Sequence, residues 1–200
     1  MRVGVLALQG DFREHIAMLR DLGADAVEVR TPEELGNVDG LIIPGGESTT
    51  IGRLATIYGM IEPVRNRIAS GMPVLGTCAG LIFLGAGTTG ARQAQLEVLD
   101  VIVERNAFGR QVDSFEADLD VSGWKDSMHA VFIRAPWIHK VGGEVEVLAA
   151  VTDPATGEDR PVFVRQGNIL ASSFHPELTS DDRMHRMLID LVTSGPGGEG

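Results

Sequence analysis

Short apolar runs separated by amphipathic segments dominate the first half of the chain. Runs that fit buried parallel strands are predicted in four segments: 2–8, 24–29, 40–43 and 73–77. Asp11 and Glu14 have the spacing of a capping box and predict a helix that ends at Gly23. Three further helices are predicted: one that begins at Thr31-Pro32, one at 49–58 and one at 61–70. This alternation is typical of a parallel sheet with helices on both faces.

The second half of the chain is rich in predicted strands. They lie in six segments: 96–103, 114–121, 130–133, 145–151, 161–165 and 168–173. A hairpin tip is predicted at 152–160 and a last helix at 181–193. We therefore expect one α/β domain over residues 1–194, with an open, mostly parallel central sheet, helices on both faces and an antiparallel extension. The glycine-rich tail at 195–200 is expected to be disordered.

Three segments with candidate chemistry follow directly after predicted strands. They are Gln9-Gly10 after the first strand, Gly45-Gly46 after the third and Cys78 after the fourth. Ligands of open α/β sheets bind beyond the carboxyl ends of the strands. We therefore expect these three segments to meet at one site.

Composition narrows the class of protein. The 200-residue chain has 28 Asp and Glu against 17 Lys and Arg, and its formal net charge of -11 argues against nucleic acid as a partner. One cysteine cannot form an internal disulfide, and the sequence has neither a signal peptide nor an apolar stretch of membrane-spanning length. We therefore expect a cytoplasmic protein that does not bind a membrane.

The single cysteine, Cys78, lies between two apolar runs in Leu75-Gly76-Thr77-Cys78-Ala79-Gly80. This pattern is typical of a nucleophile elbow, a sharp strand-to-helix turn on which flanking glycines leave room around a strained residue. The amino end of the following helix favours the thiolate, which is the reactive form of cysteine. The alternative is a buried, inert cysteine that acts only as a small apolar side chain.

Phe174-His175-Pro176-Glu177 supplies a candidate base and a candidate carboxylate later in the chain. Side chains alternate along an extended strand, so His175 and Glu177 are expected on the same side, where the carboxylate can set the tautomer of the imidazole. The remaining histidines lack a carboxylate two residues away and are weaker candidates: His15, His129, His139 and His185. No Cys and His residues have the close spacing of a metal site, so no metal is expected.

The turn Pro44-Gly45-Gly46-Glu47-Ser48 fits either a flexible connection or part of a site. A glycine peptide at a strand end can aim an N–H group at a developing oxyanion, which makes Gly46 a candidate, with Ala79 on the elbow as the second donor. Arg105 and Arg134 each follow an apolar strand and fit either a contact with a substrate carboxylate or a surface ion pair. The pattern of a phosphate-binding loop is absent.

With these residues identified, the chain resembles the class I glutamine amidotransferases, and within them the glutaminase subunits of pyridoxal 5'-phosphate synthases. The match covers nearly the whole chain, and its most specific segments are three: GGESTT at 45–50, ERNAFGRQVDSF at 104–115 and IRAP at 133–136. The resemblance implies a flavodoxin-like fold and a triad in which Cys78 is the nucleophile, His175 the acid and base, and Glu177 its orienting partner. It also implies glutamine-binding positions: Gly46, Glu47, Ser48, Arg105, Ile133 and Arg134.

The function that the resemblance implies is hydrolysis of L-glutamine to L-glutamate and ammonia through a cysteine thioester, without a cofactor. The implied partner is the barrel-shaped synthase subunit, which takes the ammonia to build pyridoxal 5'-phosphate in vitamin B6 biosynthesis. In this family the free glutaminase is weakly active and the partner organises the oxyanion hole. Gly45-Gly46 is therefore the expected switch, and Gln9 and the first helix are candidates for the docking face.

Three other functions fit parts of the pattern. A glutaminase that serves a different acceptor shares the triad, although the segment 103–115 favours the pyridoxal 5'-phosphate subunits. An oxidation sensor that uses Cys78 needs no oriented base, so His175 and Glu177 argue against it. A cysteine peptidase shares the nucleophile and the base, and only substrate trials separate it from a glutaminase.

Overall fold

The computed structural model describes residues 1–105, 114–153 and 156–195. The strands are β1 (Arg2–Leu6), β2 (Asp25–Val29), β3 (Gly40–Ile43), β4 (Val74–Thr77), β5 (Gly85–Thr88), β6 (Leu99–Glu104), β7 (Ser114–Leu119), β8 (Met128–Ile133), β9 (Trp137–Val141), β10 (Glu146–Thr152), β11 (Asp159–Gln166) and β12 (Ile169–Ser172). The helices are α1 (Phe12–Asp21), α2 (Pro32–Leu35), α3 (Ser48–Ile57), α4 (Ile61–Ala69), α5 (Ala79–Leu84) and α6 (Arg183–Ser194), with a short 3-10 helix at Pro176–Leu178. Within these ranges, no helix combines the length and the apolar character that crossing a membrane requires.

Seven strands form the central sheet, in the order β10-β11-β12-β4-β3-β1-β2. The strands from β12 to β2 run parallel, and β10 and β11 extend the sheet as an antiparallel hairpin. The neighbours β3 and β4 carry the glycine turn and Cys78 at their carboxyl ends, with Ile43 beside Gly76. The predicted α/β fold, with its mostly parallel sheet and antiparallel extension, is confirmed.

The central strands are buried on both faces because their side chains alternate between two cores. On one face, Leu41 and Ile43 pack with α2 to α5 and with the small sheet formed by β5, β6 and β9. On the other face, Ile42 and Leu75 pack with α1, α6 and the β7–β8 hairpin. Removal of these apolar side chains from water holds both layers on the sheet.

The start of α1 differs from the prediction. The capping box expected at Asp11 and Glu14 is wrong, since the Asp11 side chain caps no N–H group. Its φ of -86° and ψ of 42° lie outside the extended region that is usual for an N-cap. A capping box forms instead at Thr31 and Glu34, where the backbone of Thr31 is extended. The glycine stop is confirmed, because Gly23 follows α1 with a φ of +80°.

The strand predictions also need correction in the second half. β5 and β9 were not predicted, because β5 is a Gly-Ala-Gly-Thr segment without a strand pattern and β9 directly follows Pro136. β12 ends at Ser172, short of His175. The hairpin predicted at 152–160 does join β10 to β11. Its residues 154–155 lie outside the described residues, as do 106–113 and the tail 196–200, so the predicted disorder of the tail stays a prediction.

Candidate active site

Cys78 lies on a strained turn between β4 and α5. Its φ of 48° and ψ of -100° are rare for a residue with a side chain, and such strain persists only where the surrounding packing enforces it. The Cys78 N–H donates to the Ser172 carbonyl at 2.8 Å and ties the turn to β12. Its Sγ lies 3.8 Å from the Ile133 carbonyl oxygen. This is the geometry of a nucleophile elbow.

The two glycines around Cys78 are required by close packing. A Cβ on Gly80 would lie 2.0 Å from the Ile43 carbonyl oxygen. A Cβ on Gly76 would lie 2.5 Å from Leu84 Cδ1 and 2.8 Å from the carbonyl carbon of Gly80. Non-bonded atoms do not approach so closely in a packed interior, so no side chain fits at either position. The steric role predicted for these glycines is confirmed.

His175 and Glu177 are adjacent, but the backbone between them does not follow the predicted path. The expectation of an extended segment is wrong, because Pro176 begins a 3-10 helix, and proline fits the first turn of a helix as well as a strand. This turn brings Glu177 Oε1 to 2.7 Å from His175 Nδ1. The Cys78 side chain is also close enough to the imidazole to raise the pKa of His175. His175 is 4% exposed and Glu177 is 7% exposed, so the pair is shielded from water.

Burial and hydrogen bonds act in opposite directions on the charge of His175. Burial alone lowers the pKa of an imidazole, but the hydrogen bonds and charges of Cys78 and Glu177 raise the pKa of His175 to about 10. Burial raises the pKa of Glu177, while the hydrogen bond and positive charge of His175 act against that rise. The arrangement is that of a cysteine nucleophile, an adjacent base and a carboxylate that orients the base.

The glycine turn after β3 packs directly against this imidazole. A Cβ on Gly45 would lie 2.4 Å from His175 Cε1, so a side chain there would displace the ring. Gly46 has a φ of +151°, and a Cβ on it would lie 2.6 Å from Gln9 Oε1. The absence of side chains at both positions lets the turn lie beside the reactive groups.

Two hydrogen bonds join the glycine turn to the loop after β1. The Asp11 N–H donates to the Gly45 carbonyl at 3.2 Å, and the Glu47 N–H donates to Gln9 Oε1 at 2.7 Å. Gly10 makes this close approach possible, since a Cβ on it would lie 1.8 Å from the Gly45 oxygen. The predicted meeting of the three strand-end segments is therefore confirmed.

Three of the predicted glutamine-binding positions lie together around Gln93. Arg105 donates to Glu47 Oε1 at 3.3 Å and to Gln93 Oε1 at 2.9 Å. Ser48 Oγ donates to the same Gln93 oxygen at 3.3 Å. Burial acts to raise the pKa of Glu47, but hydrogen bonds from the first turn of α3 prevail and lower it. Glu47 is therefore an anion paired with Arg105.

The other predicted positions lie on the opposite side of Cys78. β8 ends at Ile133, whose carbonyl faces the sulfur, and Arg134 follows with a left-handed φ of 45° and an exposed side chain. Ala79 is the first residue of α5, where an N–H group has no acceptor within the helix. A carboxamide bound at the sulfur would thus lie among the residues that the resemblance implies.

Two fully buried histidines outside the predicted site form a pair, one member of which contacts the triad. His15 on α1 lies 3.3 Å from Glu177, between its Nε2 and the carboxylate Oε2, and its Nδ1 lies 2.9 Å from His185 Nε2 on α6. Sequence reasoning gave both low weight because their partners are distant in the chain. The signal that could have found His15 is its place on the apolar face of α1, next to Ile16.

A metal site would have to use the same residues. Among the described residues, one group of three possible ligands has its donor atoms in mutual reach: Asp11, His175 and Glu177. Since His175 and Glu177 are already bonded to each other, this group belongs to the candidate triad. The expectation that no metal binds stays a prediction.

Comparison with known proteins places these residues in a family. The model of the SNO glutamine amidotransferase family matches residues 5–194. The chain belongs to this family. The pyridoxal 5'-phosphate synthase subunit PdxT of Mycobacteroides abscessus is 54% identical to this amidotransferase over 195 residues, which cover 96% of this chain and 98% of that protein. PdxT of Parafrankia sp. is 56% identical over 199 residues, or 98% of this chain and 95% of that protein.

Solved structures agree with the family assignment. The crystal structure of a glutamine amidotransferase has 55% identity and a TM-score of 0.88, and the match covers 96% of this chain and 98% of that chain. PurLQS from Thermotoga maritima has the same fold at 15% identity, with a TM-score of 0.71 over 96% of this chain and 97% of that chain. The resemblance to glutamine amidotransferases is confirmed.

Proposed function

We propose that this amidotransferase hydrolyses L-glutamine to L-glutamate and ammonia as the glutaminase subunit of a pyridoxal 5'-phosphate synthase. One observation carries the proposal: the buried His175 imidazole is hydrogen-bonded to Glu177, and Cys78, on its strained turn, is close enough to raise the pKa of the same imidazole. The identity of the partner enzyme is inferred from the relatives, whose names describe subunits of pyridoxal 5'-phosphate synthase. The glutaminase domain spans residues 1–194, uses no cofactor or metal and acts in the cytoplasm.

In the first half of the reaction, the Cys78 thiolate attacks the side-chain amide carbon of glutamine. A carbon–sulfur bond forms, and the carbonyl oxygen becomes an oxyanion that the N–H groups of Gly46 and Ala79 stabilise. The His175 imidazolium then protonates the amide nitrogen, the carbon–nitrogen bond breaks, and ammonia leaves. Glu47, Ser48, Arg105, Ile133 and Arg134 hold the substrate during this step.

In the second half, water hydrolyses the γ-glutamyl thioester. Acylation of the sulfur removes the thiolate charge, one of the contributions that raise the pKa of His175, so the ring gives up its proton more readily after acylation. The neutral imidazole accepts a proton from water as the oxygen attacks the thioester carbon. The carbon–sulfur bond breaks, glutamate leaves, and the thiolate and imidazolium pair is restored.

The synthase subunit is proposed to act on the glycine turn. Ammonia in bulk water is largely protonated and no longer nucleophilic, so a partner that receives it directly is needed. The loop after β1 is hydrogen-bonded to the turn through Gln9 and Asp11, so contact with that loop or with α1 reaches the residues on either side of Gly46. Gln9→Leu removes the acceptor of the Glu47 N–H and is expected to reduce partner stimulation, whereas Gln9→Glu retains an acceptor and is expected to keep more of it.

The proposal is tested by measuring glutamate release from L-glutamine with and without the cognate synthase subunit. Stimulated release is expected from the wild type, and none above background from Cys78→Ala. His139→Gln is the matched control, because His139 is an exposed histidine on β9. Absence of release from a verified complex would refute the glutaminase, and cleavage of peptides by the free chain would favour a peptidase.

A further inference from the structure

Glu177 has a second carboxylate oxygen that the proposed reaction leaves unused. Oε1 receives the hydrogen bond of His175, whereas Oε2 is buried and has no well-aligned hydrogen bond among the described residues. A buried carboxylate oxygen without a donor is costly, so a polar group beside it affects how well the charge is tolerated. The Nε2 of His15 is such a group and lies 3.3 Å from this oxygen.

His15 connects the orienting carboxylate to the strand of the nucleophile. Its Nε2 also lies 3.2 Å from Thr77 Oγ1, and Thr77 directly precedes Cys78. Its Nδ1 lies 2.9 Å from His185 Nε2. Thr77, His15 and His185 are all 0% exposed. The imidazole of His15 is therefore fixed between β4, α6 and the turn that carries Glu177.

The Glu177 carboxylate selects one tautomer of this histidine pair. If His15 carried its proton on Nδ1, a nitrogen lone pair would face the carboxylate oxygen and repel it. With the proton on Nε2, the N–H group donates to Thr77 Oγ1, its positive end lies near Glu177 Oε2, and Nδ1 becomes an acceptor. His185 then donates its own Nε2–H to His15. In this tautomer each imidazole offers its donor in the direction of the triad.

Both histidines remain neutral at physiological pH. Burial lowers the pKa of His15 well below its usual value, and the positive charges of His185 and His175 act in the same direction. Burial lowers the pKa of His185 to about 4, although Asp182 at the start of α6 opposes it. A neutral donor stabilises the Glu177 carboxylate without cancelling its charge, so that charge remains available to the His175 imidazolium.

We propose that His15, fixed in one tautomer by His185, is a positioning residue that holds the Glu177 carboxylate toward His175. This role rests on the proposed glutaminase reaction, in which His15 contacts neither glutamine nor the reacting sulfur. A simpler role is that of a polar pair that only joins α1 to α6. Loss of the Nε2–H changes the position and charge of Glu177 if His15 is a positioning residue, and leaves both unchanged if His15 only joins the two helices.

The test compares His15→Leu, which removes the donor, with His15→Gln, which keeps an N–H donor of similar reach. Both are assayed with the synthase subunit over a range of pH. For His15→Leu we expect kcat to fall roughly 10- to 100-fold with KM unchanged, the size expected when a buried charged group loses its polar neighbour. The acidic limb of the kcat profile should move to higher pH, because a carboxylate without its donor takes up a proton more readily.

His15→Gln is expected to recover most of kcat and to restore the acidic limb. His185→Leu removes the donor to His15 and is expected to shift the profile in the same direction by a smaller amount. His139→Leu is the control for loss of a histidine from the surface. A folded His15→Leu with the wild-type pH profile would overturn the proposal, as would a loss of kcat that leaves the limb in place and is not recovered by His15→Gln.

A second measurement separates this proposal from the glutaminase itself. Cys78 is the chain's one cysteine, so the rate of its alkylation by iodoacetamide reports the reactive thiolate without any glutamine. Slower alkylation of His15→Leu than of the wild type and His15→Gln is expected at neutral pH. Equal rates would overturn the positioning role, even if the wild type released no glutamate and the proposed function failed.

Discussion

Two buried histidine environments meet at Glu177, and the pKa values of their histidines are shifted in opposite directions. On one side, His175 has anionic partners, and its pKa rises to about 10. On the other side, burial lowers the pKa of His15 well below its usual value and that of His185 to about 4. All three are nearly inaccessible to solvent, with exposures of 4%, 0% and 0%. Burial disfavours the charged form of each ring, so the anionic partners of His175 decide which histidine carries a proton.

The largest effect is expected from a substitution of Glu177, because its charge helps to keep His175 protonated while His15 and His185 are neutral. Glu177→Gln keeps the size of the side chain but removes the charge that favours the His175 imidazolium. We expect kcat for glutamine hydrolysis in the synthase complex to fall roughly 10³- to 10⁴-fold, as when other catalytic triads lose their carboxylate. The pKa of His175, followed by NMR, should fall in the variant. Glu62→Gln on α4 is the control, and a loss no larger than that control would contradict the role of Glu177.

The next effect concerns stability in acid. The pKa of His185 is lowered in the folded state to about 4 from an unfolded value of 6.5, so the unfolded chain binds more protons between these values. Stability from the neutral ring is complete above pH 6.5 and is lost as pH falls through 4. Urea unfolding of the wild type should show that the free energy of unfolding falls by about 3 kcal/mol by pH 4. His185→Leu should not show this loss. An equal loss of stability in acid for the wild type and His185→Leu would contradict a neutral His185.

His175 should give the opposite slope in alkali. Its folded pKa is raised from 6.5 to about 10, so its contribution to stability is complete below pH 6.5 and is lost as pH rises through 10. Cys78→Ala removes one of its anionic partners, and the alkaline loss should shrink in that variant. Urea unfolding of both proteins at increasing pH measures the difference, and an unchanged loss would show that Cys78 does not stabilise the imidazolium.

The half of the site that contains His175 could be predicted from the sequence. The elbow at Cys78, the glycine turn and the loop at Gln9 each follow an apolar run, and parallel strands bring their carboxyl ends to one edge of the sheet. Glu177 is close to His175 in the chain, so local geometry was enough to pair them. The prediction succeeded although the backbone between them is a 3-10 turn, because either conformation brings the two side chains together.

The half that contains His15 could not be predicted in this way. His15 and His185 lie 170 positions apart in the chain and meet only because α1 and α6 pack on the same face of the sheet. Gln93 was missed for the same reason, since it meets Ser48 and Arg105 through the fold and no motif marks it. Asp11 shows the reverse error, because a local capping pattern was expected and the structure places its carboxylate 3.7 Å from His175 Nδ1.

Thr77→Val gives a smaller effect that distinguishes the two acceptors near His15 Nε2. The substitution keeps the shape of a fully buried side chain but removes Oγ1, so we expect a loss of about 1 kcal/mol in the free energy of unfolding. Glu177 remains next to the Nε2–H, so the acidic limb of the kcat profile should stay in place. Ser173→Ala is the contrast, since the Ser173 hydroxyl is buried without a described partner and its removal should cost less. A shifted limb in Thr77→Val would mean that Thr77, and not Glu177, orients His15.

Asp11→Asn should give the smallest effect, because the Asp11 carboxylate has opposing effects on His175 and on Glu177. It lies 3.7 Å from His175 Nδ1 and favours the imidazolium, while its charge acts to raise the pKa of Glu177. Its side chain is 45% exposed, so water screens both effects. We expect kcat in the synthase complex to change by no more than about threefold, well under the loss for Glu177→Gln. A loss as large as that of Glu177→Gln would mean that Asp11, and not Glu177, is the carboxylate that sets the charge of His175.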